Sequence, residues 1–211
     1  MTLDPTPALL ENLYWITLLA VVVSSASGVL QAGFRQFDLF GVMIIAIATG
    51  LGGGSLRDML LGRDVFWIND QVFFIASLGS AVTVFIVARL LVVSNRYFLV
   101  ADAAGLATFG IAGTMVSLMV GAPPLVASFM GVTTGTMGGV FRDVLCNETP
   151  VVFRSPLYAT VSWAGSLLFI GLLHIEQDIT VAAIISGLSI FVFRLLAIYY
   201  NVGLPRFRFK S

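Results

Sequence analysis

The chain has 211 residues, of which 58% are hydrophobic and only 10% charged, with 11 basic residues balanced by 11 acidic ones. A soluble domain is about a quarter charged. With mean hydropathy +1.00, this chain reads as an all-α polytopic membrane protein with no room for a soluble domain, and zero net charge argues against nucleic acid as a partner.

The first 33 residues lack a basic start and carry an apolar run long enough to span, unlike a cleaved signal peptide. Crossing a bilayer takes about 20 apolar residues, and seven spans are expected at 13–33, 39–61, 71–93, 98–120, 124–146, 156–175 and 179–201. Charged or turn-forming residues interrupt them at Phe34-Arg35-Gln36, Arg63-Asp64, Ser94-Asn95-Arg96, Gly121-Ala122-Pro123-Pro124, Arg154-Ser155-Pro156 and Glu176-Gln177-Asp178. The pair Pro123-Pro124 is expected to start the fifth span, since proline suits the first helical turn. Asp102 is read as marking the interfacial start of the fourth span, with a vestibule lining as the alternative. Cys146, the single cysteine, excludes an intrachain disulfide and is read as a packing residue. His174, Glu176 and Asp178 read as solvated loop charges rather than a metal site. Arg194 is expected to snorkel from the seventh span to its near interface. Tyr14, Trp15, Trp67, Tyr199 and Tyr200 suit interfacial belts.

Basic residues set the orientation. Arg35, Arg89, Arg96 and Arg154 fall on the same side as the tail residues Arg206, Arg208 and Lys210, whereas only Arg63 lies in a loop on the other side. The N-terminus is therefore expected outside and the C-terminus in the cytoplasm. The tail reads as a topology signal, with anionic-lipid binding as the rarer role.

The chain repeats itself at an offset of 85 residues: Gly28 falls on Gly113, Thr49 on Thr134, Gly50 on Gly135, Gly53 on Gly138, Gly54 on Gly139, Arg57 on Arg142 and Asp58 on Asp143. One inserted residue later, Gly79-Ser80 falls on Gly165-Ser166. Spans one to three (13–93) thus match spans four to six (98–175), and 179–201 is extra. Three crossings reverse direction, so the second copy is expected to be inverted about an axis in the membrane plane, with any pathway between the copies.

Four glycines among Gly50, Gly52, Gly53 and Gly54 weaken helix propensity by about 3–4 kcal/mol relative to alanine. A kink or unwound turn is expected there and at Gly135, Gly138 and Gly139. Freed carbonyls, with the hydroxyls of Thr49, Ser55, Thr133, Thr134 and Thr136, would then line a cation path. Adjacent helical residues point about 100° apart. Arg57 is therefore expected to face Asp143, and Arg142 to face Asp58, across the pseudo-twofold. The competing structural readings are ionic clasps between helices, and small-xxx-small packing at Gly50/Gly54, Gly131/Gly135 and Gly135/Gly139. No HExxH, P-loop, GxSxG or Cys-His pattern suggests an enzyme.

Seven spans, the three-plus-three repeat, and Gly52-Gly53-Gly54-Ser55-Leu56-Arg57-Asp58 echoed by Gly138-Gly139-Val140-Phe141-Arg142-Asp143 resemble the prokaryotic trimeric intracellular cation (TRIC) channels across residues 13–201. The resemblance implies a bacterial inner-membrane homotrimer with one pore per protomer, conducting potassium or another monovalent cation such as sodium between spans two and five. It assigns the pore to Gly52, Gly53, Gly54, Arg57, Asp58, Gly138, Gly139, Arg142 and Asp143. Met137 stands where the first copy has Gly52, so the two kinks are expected to differ in mobility. No resident cofactor and no soluble partner is implied, and lipid in the trimer centre is left open. Related bacterial sequences are also described as glycine transporters, which makes a small-amino-acid carrier the alternative. A non-conducting scaffold is the third class.

Overall fold

The computed structural model describes residues 3–90, 94–155 and 157–204. The described residues form nine helices and no strand: α1 (Pro7–Gly33), α2 (Leu39–Leu60), α3 (Phe66–Asn69), α4 (Gln71–Leu90), α5 (Asn95–Met119), α6 (Pro124–Leu145), α7 (Val151–Arg154), α8 (Tyr158–His174) and α9 (Ile179–Tyr200). The basic tail from 205 onward and the Pro156 break lie outside the described residues.

Local chemistry fixes the starts of the long helices. Thr6 caps α1 by accepting from the Leu9 N–H, Asp38 caps α2 through Gly41, and Asp178 caps α9 through Thr180 and Val181. Asp178 is thus a helix cap and not part of a metal cluster. Pro124 opens α6, as the sequence predicts.

Five helices (α1, α2, α4, α5 and α9) are long and apolar enough on their own to cross a membrane. The other two long helices differ: α8 is apolar but 17 residues long, and α6 has 22 residues but is rich in glycine and threonine. Many large side chains face outward, among them Phe40, Ile75, Leu188 and Phe193. Such an apolar exterior suits lipid, where no hydrophobic penalty attaches to it.

The centre is made by α1, α2, α5 and α6: α1 packs on α2 and α5, α6 packs on α2 and α5, and α4, α8 and α9 lie around them. Loops and termini tie the ends. At one end the Leu3 N–H donates to the Leu118 carbonyl and Asn12 donates to the Thr180 hydroxyl; at the other, Arg35 pairs with Glu148.

The glycine-rich segments do not unwind. α2 runs unbroken through Gly50–Gly54, and α6 through Gly135–Gly139. The expected release of carbonyls is corrected accordingly. The reason is packing: a Cβ on Gly53 would collide with the Thr134 carbonyl oxygen, and one on Gly138 with the Thr49 carbonyl oxygen. The two helices cross backbone to backbone, with each glycine's Cα hydrogen left toward the other's oxygen, as in a Cα–H···O contact. Close packing keeps the helical ladder intact through a sequence of weak helix propensity.

Candidate functional site

Each Arg-Asp pair ends its helix in the same way. Arg57 Nε donates to Asp58 Oδ1 at 2.9 Å, and Arg142 Nε donates to Asp143 Oδ1 at 2.8 Å. The other carboxylate oxygen accepts a backbone N–H eight residues on, Phe66 for Asp58 at 3.0 Å and Val151 for Asp143 at 2.8 Å. These N–H groups open the short helices α3 and α7, so each aspartate also caps a turn that folds back beneath the longer helix. Neither α3 nor α7 is announced by a hydrophobic period.

The predicted exchange of partners, Arg57 with Asp143 and Arg142 with Asp58, does not occur. Both pairs are local. The 100° between neighbouring Cβ atoms is spanned by the arginine side chain, which is long enough to fold back on the next residue. All four groups are nonetheless buried, with at most 2% exposure.

The two sites differ in their further partners. Arg142 Nη1 also donates to Asp102 Oδ1 at 2.7 Å and to Ser27 Oγ at 3.0 Å, and its guanidinium carbon lies 4.7 Å from the centre of the Phe98 ring. Arg57 has only Asp58 as an ion-pair partner among the described residues, with the Phe66 ring at 5.8 Å. The positions that repeat Asp102 and Ser27 are Thr17 and Ala112. Asp102, inside α5, therefore holds a buried ion pair with Arg142 of α6 and does not mark an interfacial helix start.

Arg194 is fully buried and does not snorkel. It stacks 4.6 Å from the Tyr158 ring centre and donates to the Ser155 hydroxyl at 2.7 Å. It is also within electrostatic reach of Asp102. The extra helix α9 thus brings a second cation to the Arg142 site. A guanidinium that already has a hydroxyl, a ring and a carboxylate nearby gains nothing by reaching for the interface.

A small, partly enclosed polar cavity of about 10 Å³ lies at the centre, room for one water. Of the predicted site residues, Thr49, Thr134, Gly135, Gly138, Gly139 and Arg142 line it; Ser24, Ser27, Asp102 and Phe109 complete the wall. The Thr49 and Thr134 hydroxyls donate back to Ile45 and Met130 at 2.6 and 2.7 Å.

The other predicted residues do not line it. Gly53 sits at the helix crossing. Gly50 abuts Ser25, while Gly52 and Gly54 abut the Phe141 and Phe66 rings. Ser55 bonds Leu51 and Trp67, Thr133 bonds Phe129, and Thr136 is buried beside the crossing. Arg57, Asp58 and Asp143 serve the clasps. Among the described residues, no three His, Cys, Asp or Glu side chains are placed to hold a metal ion.

This arrangement has close counterparts among solved structures. The trimeric intracellular cation channel orthologue from Rhodobacter sphaeroides superposes with TM-score 0.86 at 31% identity, over 90% of this chain and 98% of that one. The chain belongs to the prokaryotic TRIC channel family. A second TRIC channel, determined in 0.5 M KCl, matches with TM-score 0.83 at 28% identity, over 92% of this chain and 99% of that one. The family model described as "Glycine transporter" matches this TRIC-family chain twice, at residues 14–89 and 99–174. The curated relatives include a UPF0126 membrane protein of Vibrio cholerae, 38% identical over 92% of this chain and 82% of its own length. Another is the UPF0126 inner membrane protein YadS of Escherichia coli, 34% identical over 92% of this chain and 95% of its own length.

Proposed function

We propose that this protein is a monovalent-cation channel, permeable to potassium, with one pore per protomer between α2 and α6 of a homotrimer in the bacterial inner membrane. The observation that carries the reading is the α2–α6 crossing: two glycine-backed helices meet over a polar cavity, and each ends in a buried Arg-Asp pair. The family's solved members, described as TRIC cation channels, support it. Seven spans in an inverted three-plus-three arrangement fit the recurrence of atomic contacts at the 85-residue offset. The N-terminus is placed outside and the C-terminus inside, by the bias of Arg35, Arg89, Arg96 and Arg154.

With room for one water, the cavity is too small for a hydrated ion to pass. On this reading the conformation described is the closed one, and conduction requires α2 and α6 to separate at Gly53 and Gly138. On this reading Arg57, Asp58, Arg142 and Asp143 hold the two ends of the moving helices. Thr49, Thr134 and the Gly135–Gly139 backbone form the wall exposed on opening.

The second reading is a carrier of a small amino acid such as glycine, favoured by the family description and by Arg57 Nη1, a buried donor with no hydrogen-bond partner that would suit a carboxylate. Planar-bilayer recording of the purified protein separates the two. Unitary potassium currents are expected. Saturable glycine uptake without such currents establishes the carrier, and vesicles indistinguishable from empty ones for both solutes establish a scaffold.

A further inference from the structure

We infer that the Phe98–Arg142 stack is a gate between the central cavity and the face at which α6 ends, and that Asp102 is the latch that holds it shut; this rests on the channel reading. Beside the end of α6 lies a vestibule of about 390 Å³ whose wall includes Gln31, Asn95, Phe98, Glu148, Arg154 and Ser155. About half of that wall is polar, the rest being Phe34, Phe98, Leu99 and Val151. Behind it lies the one-water cavity, walled in part by Arg142, Asp102 and Ser27.

Phe98 belongs to the first space and Arg142 to the second, and the two side chains touch. Phe98 is 2% exposed and Arg142 is 0% exposed. A single stacked pair therefore separates two polar spaces. A ring edge offers a passing ion no ligand, so passage requires the pair to part.

The bonds of Arg142 suit that movement. Its Nε is held by Asp143 on the same helix, whereas Nη1 reaches α5 and α1 through Asp102 and Ser27. When α6 moves away from α5, the Asp102 bond breaks and the Asp143 bond travels with the helix. The guanidinium keeps one carboxylate throughout. Asp102 then keeps only the more distant charge of Arg194 and faces the opened space, where a cation replaces the charge of Arg142. Asp102 Oδ2 and Arg142 Nη2 make no hydrogen bond in the closed form, so the site holds unused polar capacity.

At the Arg57 end the ring over the guanidinium is Phe66 of α3, farther off at 5.8 Å, and Leu13, Thr17 and Ala112 stand at the positions of Phe98, Asp102 and Ser27. With no carboxylate from a second helix there among the described residues, the latch is one-sided, at the Arg142 end.

The test uses the full-length protein in vesicles, with Cys146→Ala removing the native thiol and Ser24→Cys placing a reporter in the cavity wall. Silver ion is applied from either side, and unreacted thiol is then counted by maleimide labelling and mass spectrometry. Phe98→Ala is expected to speed the reaction from the vestibule side by about tenfold or more, as a weakened closed state requires. Phe98→Leu should do so less, and Leu13→Ala not at all. In parallel recordings Phe98→Ala should raise open probability and leave unitary conductance unchanged. Unchanged silver reactivity in folded Phe98→Ala and Phe98→Leu proteins overturns the gate. Silver entry needs no potassium current, so acceleration in a protein that passes none sinks the channel reading alone.

Discussion

Arg142 of α6 and Asp102 of α5 form a 2.7 Å ion pair sealed from solvent, and the first half of the chain has no equivalent, because Thr17 stands where Asp102 would. Two halves that share a backbone contact scheme thus differ in charge. The Arg142 site holds two carboxylates, Asp143 and Asp102, against two guanidiniums, Arg142 and Arg194; the Arg57 site holds one carboxylate, Asp58, with the guanidiniums of Arg57 and, farther off, Arg63.

Replacing Asp102 by asparagine keeps the shape and removes a buried charge. Breaking one side of a buried pair costs about 3–5 kcal/mol. For a chain of this size the melting temperature should fall on the order of 10 °C. A thermal scan of detergent-purified protein measures it, and a drop of a degree or less would show that Arg142 does not depend on Asp102.

The two neighbouring aspartates should rank unequally. Asp58→Asn leaves Arg57 with no ion-pair partner among the described residues, whereas Asp143→Asn leaves Arg142 its bond to Asp102. Both variants lose the charged cap on the following short helix. The Asp58 variant is expected to melt lower than the Asp143 variant, and the reverse order would contradict the unequal partner sets.

Alanine at Gly53 or Gly138 drives a methyl group into a carbonyl oxygen on the facing helix. Overpacking of this kind costs about 1–3 kcal/mol, and here it also separates the closed helices. Gly79 and Gly171 have open space where a Cβ would stand, so alanine there should be neutral or stabilising by up to about 1 kcal/mol. Thermal scans of the four variants, paired with potassium flux, check the contrast. Wild-type behaviour at Gly53 and Gly138 would remove the crossing from the mechanism.

One pore per protomer predicts independent conductance. Trimers assembled with a single protomer carrying a substitution that abolishes current in the homotrimer should keep the remaining current levels, each with unaltered amplitude. Loss of all current from such mixed trimers would place the path on the shared axis instead.

The helices were legible because a membrane span needs a long apolar run, and the run survives whatever packs against it. Pro124 as the opening residue of α6 was readable for the same local reason. The 85-residue recurrence was readable too, because Gly53 and Gly138 make the same carbonyl approach only if the same small residue stands in both places. The partner choice of Arg57 and Arg142 was not readable. Spacing gives the direction of a Cβ, but a guanidinium reaches around its helix, and which carboxylate it meets depends on how the ends fold back. α3 and α7 escaped because four residues carry no period, and the contacts that hold their first N–H groups come from Asp58 and Asp143, eight residues back.

The sequence by itself determined a helical membrane protein, its doubled Gly-Gly-x-x-Arg-Asp design and the places where the chain turns, since these depend on apolar length and on residues close along the chain. Only the tertiary structure decided that the glycines close a crossing instead of breaking a helix, and that Asp102, Ser27 and Arg194 complete the Arg142 site. Those outcomes depend on the competition between helix propensity and interhelix contact, and on side chains brought together from α1, α5, α6 and α9. The free energy of such encounters is set by distance in space, which adjacency in sequence does not encode.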